Sequence, residues 1–509
     1  MQRRFFTAAT LVIFIWPTRC SAQTTIHDSL YSIALQEERQ IDIILPKDYD
    51  PAKPEKYEAL YCLEGISDFV PTEYNYLSGE GFIPHLILVG VLNSQKNGMT
   101  NRDRDFTPTH TDGETGGADK FLAYLKDELL PYMQKHYPVK SAGNSLYGGS
   151  LSGLMAVYAF LKEPTLFTSY IAVDPSLWWD NFWPVQYAAK RFAGFGSLHN
   201  TLWLAGREGS AFKYMGIEKM DSLLTRRAPS GLVWQRRLYD NETHYSTQFK
   251  GLWDGLKFSY GGFYASKGGY PISRGIAIKP SRGLVTKDKP IPLICYNLAD
   301  SPYIRYSIDG SEPTTASPSL TGEQTPITVT RTGWVRFRSF GVRDEYTRVD
   351  SAYYEVGTVI KPVSTPAGTQ PGGLSYSLYE GSWDSLPDRS RMTASRKGRG
   401  GFDFSTFPAT GYFVVFAGYI YIDKPGYYIF ENGGKQFRAT VGGRHVLGDH
   451  IGPGGESYMV PLAKGFYPLQ VEYLRAPNGN GPEPLYLKPE NIDDFPVPAN
   501  ILYIQNVKS

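Results

Sequence analysis

Short apolar runs alternate with amphipathic stretches through the first half of the chain. Residues 41–45, 59–63 and 86–91 are compact apolar runs of strand length. Residues 119–135 instead carry apolar side chains at 121, 122, 125, 129, 130 and 133, which is one face of a helix. The pattern then predicts a strand at 145–147, a helix at 153–161, and strands at 169–173, 201–204 and 233–238. Strand–helix alternation over more than 200 residues implies a doubly wound α/β sheet, with its chemistry at the C-terminal ends of the strands.

The pattern changes after residue 260. Gly261-Gly262 and Gly268-Gly269-Tyr270-Pro271 mark a linker. Residues 272–356 carry short alternating strands, at 303–308 and 334–340, which predict a β-sandwich of roughly immunoglobulin size. A second linker, rich in Pro, Gly and Thr, is expected at 362–373. Residues 374–504 again read as all-β, with strands at 418–422, 426–430 and 469–473. The expected organisation is therefore a doubly wound α/β sheet domain (23–260) followed by two all-β sandwich domains, at 272–356 and 374–504. A length of 509 residues suits about three domains of ~150 residues each.

The N-terminus adds a destination. Arg3 and Arg4 precede an apolar run at 5–16, too short to span a bilayer, and Cys20-Ser21-Ala22 places small residues at a cleavage site. Residues 1–22 read as a signal peptide and the mature chain as exported, to the periplasm or outside the cell. A short membrane anchor is the alternative, and a lipid on Cys20 is disfavoured by Arg19. No second stretch of about 18 apolar residues follows, so no membrane span is expected in the mature chain. Lys+Arg number 52 and Asp+Glu 50, which gives no basis for a nucleic-acid partner. Beyond the leader only Cys62 and Cys295 remain, in different expected domains, so no disulfide framework is expected. The eight His are scattered and no His-Glu-x-x-His or paired-Cys motif occurs, so neither metal nor cofactor is expected.

The candidate chemistry lies in Leu146-Tyr-Gly-Gly-Ser-Leu-Ser-Gly-Leu154, which passes from an apolar strand through small residues into a helix. Such a turn can push one hydroxyl out above the sheet, and Ser150 takes the nucleophile position. The plainer alternative is a Gly/Ser-rich turn. A serine nucleophile needs a base and a carboxylate, and in this fold they follow it along the chain. His199 precedes a strand and falls at the wrong end of the sheet. His244 follows the strand at 233–238 and falls at the correct end. Glu208, after the strand at 201–204, is the first choice for the acid, and Asp174, after the strand at 169–173, is the second. An oxyanion hole is expected from the Leu151 N–H and from Gly65 or Ile66 in the loop after the strand at 59–63.

These residues resemble the enterochelin-esterase and esterase D type of α/β hydrolase, a group that also holds the feruloyl and acetyl-xylan esterases of carbohydrate esterase family one. The resemblance runs through Arg102-Asp-Arg-Asp-Phe-Thr-Pro108, Gly116-Gly-Ala-Asp-Lys-Phe121, Glu128-Leu-Leu-Pro-Tyr132, Tyr147–Gly153, Pro175-Ser-Leu-Trp-Trp-Asp180 and Glu242-Thr-His244. It implies Ser150 as nucleophile, His244 as base and an acid near Glu208. Gly149 and Ser152 depart from the group's usual His at 149 and Gly or Ala at 152. Trp178 and Trp179, just past a strand end, are candidates to line an acyl or sugar pocket, or to anchor a lid.

Ile304-Arg-Tyr-Ser-Ile-Asp-Gly-Ser-Glu-Pro-Thr314 resembles the Ig-like C-terminal domain of chitobiase and hexosaminidase enzymes. Residues 374–504 resemble a protective-antigen-type β-sandwich, often attached to glycan-active enzymes. Glu431-Asn-Gly-Gly434 stands where calcium-dependent members carry an Asp pair, so no bound Ca²⁺ is expected. Together the resemblances imply an exported serine carboxylic-ester hydrolase acting on an acyl or feruloyl ester of a polysaccharide. The alternatives are a catechol-siderophore esterase and a glycan-binding protein with an inactive hydrolase module.

Overall fold

Eight strands build the sheet of the N-terminal half in this computed structural model. It describes residues 25–96, 99–268, 276, 278–295, 303–321, 324–408, 410–434, 436–448, 456–477, 484–489 and 495–505. The expected signal peptide at 1–22 and the end of the first linker at 269–271 lie outside the described residues. The chain divides into two compact units: residues up to Thr72 with His85–Leu252, and Glu73–Pro84 with Trp253 onward.

In the first unit, the strands β1 (Thr25–Ser32), β2 (Glu37–Ile44), β3 (Glu58–Leu63) and β4 (Leu86–Val91) are followed by a two-residue ladder of β5 (Gln95–Lys96) and β6 (Met99–Thr100). β7 (Ser145–Gly149), β8 (Ser169–Val173), β9 (Thr201–Arg207) and β10 (Val233–Tyr239) complete the set. The sheet order is β1-β2-β4-β3-β7-β8-β9-β10. β1 with β2 and β2 with β4 run antiparallel, and every later pair is parallel. β3, β4 and β8 are buried at every position, because a parallel sheet needs cover on both faces, and that is why they read as unbroken apolar runs. β1 gave no such signal: its residues are half-exposed at the sheet edge.

Helices follow the strands: α1 (Phe69–Gly79), α2 (Arg102–Phe106), α3 (Ala118–Ala123), α4 (Leu130–His136), α5 (Leu151–Lys162), α6 (Trp179–Phe192), α7 (Ser210–Tyr214), α8 (Ile217–Arg227) and α9 (Ser246–Ser259). The predicted helix at 119–135 is α3 and α4 joined by a π-helical stretch, Tyr124–Leu129. All of α5 except Lys162 is buried, so the helix behind the candidate nucleophile is held from all sides.

The Arg-Asp motif of the 102–108 segment has a structural job. Arg39 of β2 is wholly buried, and its Nη1 donates to Asp105 Oδ2 at 2.6 Å and to Glu37 Oε1 at 3.0 Å. Its Nη2 reaches the Leu92 carbonyl at 2.8 Å. Arg104 donates to both Glu37 oxygens, at 3.0 and 2.7 Å. Buried charges are tolerated only when paired and hydrogen-bonded in this way, so the network fastens α2 to β2 in one register. Burial by itself would push the Glu37 carboxyl up, but hydrogen bonds from Arg104, Ser94 and Arg39 outweigh it and hold the pKa at about 2.

In the second unit the two expected sandwiches share one sheet. Arg282–Thr286 pairs in parallel with Val349–Gly357 on one side and with Glu456–Leu462 on the other. They also share a core: Tyr427, Ile429 and Met459 belong to the same buried cluster as Val335, Phe337 and Tyr354. The stretch expected as a free linker at 362–373 is paired as well. Val363 N donates to the Phe466 carbonyl at 2.9 Å, and Thr369–Pro371 lies antiparallel to Leu502–Gln505. Its Pro and Gly content reflects an extended segment on sheet edges, where Pro is tolerated because no further donor is needed.

Two outcomes follow from this fold. Because the folded pKa of Glu37 lies below its ordinary 4.5, its stabilisation is complete above pH ~4.5 and is lost as pH falls through about 2. Glu37→Gln should therefore cost about 2 kcal/mol at pH 7, with the gap to wild type closing between pH 4.5 and 2 in denaturant melts. Limited proteolysis followed by mass spectrometry should leave 362–373 uncut under conditions that nick exposed loop tips.

Candidate active site

Ser150 stands between the last residue of β7 and the first of α5, with φ 58° and ψ −119°. A non-glycine residue adopts this backbone only where its surroundings enforce it, at a cost of about 1–3 kcal/mol. Three backbone bonds do so. Ser150 N donates to the Val173 carbonyl at 3.0 Å, and the Ser150 carbonyl accepts from Ser176 N at 2.9 Å and Leu154 N at 3.0 Å. The glycines on either side supply the room. A Cβ on Gly148 would lie 2.2 Å from the Ser152 carbonyl oxygen, and one on Gly153 would lie 3.1 Å from Pro175 Cα. The hydroxyl is thereby lifted off the strand end, half-buried, with Ser176 Oγ 3.5 Å away.

The two departures from the family pattern have physical reasons. A Cβ on Gly149 would fall 1.9 Å from Gln248 Oε1, so Gln248 of α9 occupies the space a side chain at 149 would use. Tyr147 OH donates to that same oxygen at 3.1 Å. The Ser152 hydroxyl accepts from Gly149 N at 2.9 Å and lies 2.7 Å from both Glu64 Oε2 and the Gly149 carbonyl. Glu64 opens the loop after β3, and its other carboxylate oxygen meets Arg102 Nε. Glu64 and Gly65 turn sharply, with φ 71° and 93°. Gly90 lets the loop approach, since a Cβ there would sit 3.0 Å from Ile66 N. The structure thus ties the loop holding Gly65 and Ile66 to the turn holding Ser150 and Leu151. Leu151 is the first residue of α5, so its N–H has no intrahelical acceptor.

His244 is placed by the turn that starts α9. Thr243 N donates to Ser246 Oγ at 2.9 Å, and Ser246 N donates to Thr243 Oγ1 at 3.0 Å, a reciprocal cap. Its Nδ1 donates to Asp174 Oδ2 at 2.6 Å. A carboxylate can only accept, so the ring proton sits on Nδ1 and Nε2 is left as the basic nitrogen.

The carboxylate that engages His244 is therefore Asp174 and not Glu208. β9 extends three residues beyond its expected end, to Arg207, which carries Glu208 past the sheet. Glu208 is exposed, and its N–H continues the ladder to the Tyr239 carbonyl at 3.1 Å. Asp174 follows β8 directly, has φ 45° and is fully buried. Its Oδ2 also accepts from Arg207 Nε at 2.7 Å, while Oδ1 is buried and has no hydrogen-bond partner among the described residues. Ser176, Arg207 and Gln248 gave no signal, because each acts through a neighbour remote in sequence.

The tryptophans separate. Trp179 is buried and its Nε1 donates to Thr109 Oγ1 at 3.0 Å, which makes it an anchor. Trp178 is half-buried and stacks on Tyr214, an exposed ring, at 6.2 Å and 24°. Burial pushes the Cys62 thiol pKa up, so it does not offer a thiolate nucleophile. Among the described residues no cluster of three or more His, Cys, Asp or Glu could hold a metal, and no helix is long and apolar enough to cross a membrane.

Residues 32–211 match the family model described as "Putative esterase". The chain is 30% identical over 162 residues to the ferri-bacillibactin esterase BesA of Bacillus subtilis, covering 28% of this chain and 56% of that relative. It is 33% identical over 132 residues to the siderophore enterobactin esterase of Emericella nidulans, covering 25% of this chain and 43% of that relative. The chain thus spans about half the length of these curated relatives. A crystal structure of an IroE-like serine hydrolase from Shewanella oneidensis aligns with TM-score 0.42 and 31% identity, over 46% of this chain and 79% of that one. The matched family and relatives are those of an enterochelin-esterase-like α/β hydrolase.

Exchange of the two acids tests the geometry. Asp174→Asn should lower kcat/KM for an activated ester by about 10²–10⁴-fold. Glu208→Gln should stay within about twofold of wild type, as an exposed side chain should. Steady-state kinetics on both variants reads the comparison.

Proposed function

We propose that this chain is a serine carboxylic-ester hydrolase working through an acyl-enzyme. The observation that carries the reading is the His244–Asp174 pair, whose Asp174 directly follows Val173, the residue whose carbonyl accepts from the N–H of Ser150 in its left-handed turn. In this reading Ser150 Oγ attacks the ester carbonyl carbon as His244 Nε2 takes its proton. Asp174 keeps the imidazole in the right tautomer and offsets its charge. The carbonyl oxygen gains negative charge and is met by the Leu151 N–H and by an N–H of Gly65 or Ile66. The C–O bond to the alcohol breaks, His244 returns the proton to the leaving oxygen, and Ser150 is left acylated. Water then attacks the acyl carbon, again through His244, and releases the acid and free Ser150. Hydrogen bonds between apo catalytic groups are often long and tighten only around substrate.

The relatives' names favour a siderophore-type ester as substrate, a small molecule whose aryl groups suit the Trp178–Tyr214 stack. A second reading, an acyl or feruloyl ester on a polysaccharide, draws on the large all-β second unit, whose sequence resembles glycan-associated modules. Export through residues 1–22 belongs to both readings.

Ser150→Ala should lower turnover by about 10⁴-fold or more while leaving the melting temperature within a few degrees, and a serine-directed organophosphonate should label wild type at Ser150 with loss of activity. Label on another residue, or full activity in Ser150→Ala, overturns the assignment. Enterobactin, methyl ferulate and acetylated xylan, assayed side by side for acid release, decide the substrate. The siderophore reading requires the highest kcat/KM on enterobactin, and preference for xylan replaces it with the polysaccharide reading.

A further inference from the structure

The strands Ile304–Ser307, Gly333–Ser339 and Val349–Gly357 pair antiparallel at one end of the sheet shared within the second unit. Alternate side chains enter the core: Ile304, Val335, Phe337, Ala352 and Tyr354 are buried in one apolar cluster. Their neighbours along each strand point to the opposite face. There Trp334 is 50% exposed, the most exposed tryptophan among the described residues. It lies directly across from Tyr353, and the two rings meet edge to face at 5.1 Å. A core has no use for a large ring left in solvent, whereas a ligand with a flat apolar side does.

The charges on the same face are unbalanced. Arg305 and Arg338 stand directly opposite each other across their two strands, where like charges destabilise a sheet. Neither is paired with a carboxylate among the described residues. Arg305 Nη1 donates to the Ser317 carbonyl at 3.4 Å. Arg338 Nε donates to Thr347 Oγ1 at 3.4 Å, and its guanidinium lies 4.9 Å from the Phe340 ring. The charges between and beyond them are matched: Arg336 pairs with Glu312, and Glu355, two residues past Tyr353, pairs with Arg444 at 2.5 Å. Two uncompensated guanidiniums therefore lie at one end of the face and an aromatic pair at the other. Four residues of strand separate Trp334 from Arg338, a span of about 13 Å.

We propose that this face is a binding site for an acidic polysaccharide, with sugar carboxylates on Arg305 and Arg338 and the C–H faces of pyranose rings on Trp334 and Tyr353. Guanidinium suits a carboxylate because its planar fork can donate to both oxygens at once. An anion held between the two arginines also removes the repulsion they otherwise carry. A nucleic acid fits less well. It is held chiefly through many phosphate contacts, and this face offers two uncompensated cations in a chain with 52 basic and 50 acidic residues. The site does not rest on the Ser150 chemistry. It would hold a polymeric substrate on the same chain as the esterase unit, which raises its effective concentration.

The test uses the full chain carrying Ser150→Ala, so that no ester is turned over, in affinity electrophoresis through gels cast with polygalacturonate or with neutral dextran. Retention is expected in polygalacturonate and not in dextran, and it should weaken as NaCl rises from ~0.05 to ~0.5 M, because salt screens the charge contacts. The double variant Arg305→Gln/Arg338→Gln should bind on the order of tenfold more weakly and lose the salt dependence. Its melting temperature should equal or exceed that of the parent, since it relieves a like-charge pair. Trp334→Ala should weaken binding by a similar factor and keep the salt dependence. If Trp334→Ala does not fold, Tyr353→Leu takes its place. Equal retention in dextran, no retention in either gel, or unchanged retention in the arginine variant overturns the proposal, as does tighter binding of single-stranded DNA than of polygalacturonate. None of these readouts uses esterase activity, so failure of the hydrolase reading and failure of this site are told apart.

Discussion

The site depends on one backbone constraint, the left-handed conformation of Ser150 at the junction of β7 and α5. The energy that holds it comes from elsewhere. β7 is paired on both sides within a parallel sheet, α5 is buried almost throughout, and both glycines are spaced so that the two elements can meet at a sharp angle. A local strain of about 1–3 kcal/mol is small beside the burial of a helix of this kind. The same hydrogen bonds that enforce the turn, from Ser150 N to Val173 and from Ser176 N to Ser150, tie it to the end of β8. Asp174 begins there, so the Ser150 turn and the carboxylate that holds His244 are fixed by one crossing of chain.

Around that crossing the molecule fills positions with polar ties instead of the residues usual in the esterase group its sequence resembles. Gln248 stands where a side chain at 149 would go, and the Ser152 hydroxyl joins the turn to Glu64. Both arrangements couple the elbow to a neighbouring element, α9 in one case and the loop after β3 in the other. The Glu64 carboxylate does not stand alone there, because its other oxygen is paired with Arg102. The same pairing logic recurs deeper in the unit, where Arg39, Arg104, Glu37 and Asp105 neutralise one another between β2 and α2.

The second unit follows a different rule. One sheet serves two apolar clusters, because Arg282–Thr286 pairs with strands from both expected sandwiches and alternate residues of the shared strands enter different clusters, Leu284, Tyr428 and Tyr458 one and Val285, Tyr427 and Met459 the other. A single strand inserted between two sheets satisfies both edges at once, which removes two exposed ladders. The Pro- and Gly-rich stretch at 362–373 looked like a tether for the same reason that it can lie along a sheet edge: extended backbone with few donors.

What the sequence determined by itself was periodic or local. Apolar runs at 59–63, 86–91 and 169–173 marked the central strands because both faces of a parallel sheet are buried. The Gly-Gly-Ser-Leu-Ser-Gly string marked the sharp turn at Ser150, because small residues permit it, and the position of His244 after the last strand marked it as the candidate base. What the sequence left open needed distances between residues far apart in the chain. Glu208 and Asp174 both follow parallel strands, and nothing local ranks them. Only the three extra residues of β9 and the turn at Asp174 decide which carboxylate lies under the imidazole. Gln248 at Gly149, Arg207 on Asp174 and the strand joining the two sandwiches are likewise pairings across tens to hundreds of residues, visible only once tertiary packing has brought them together.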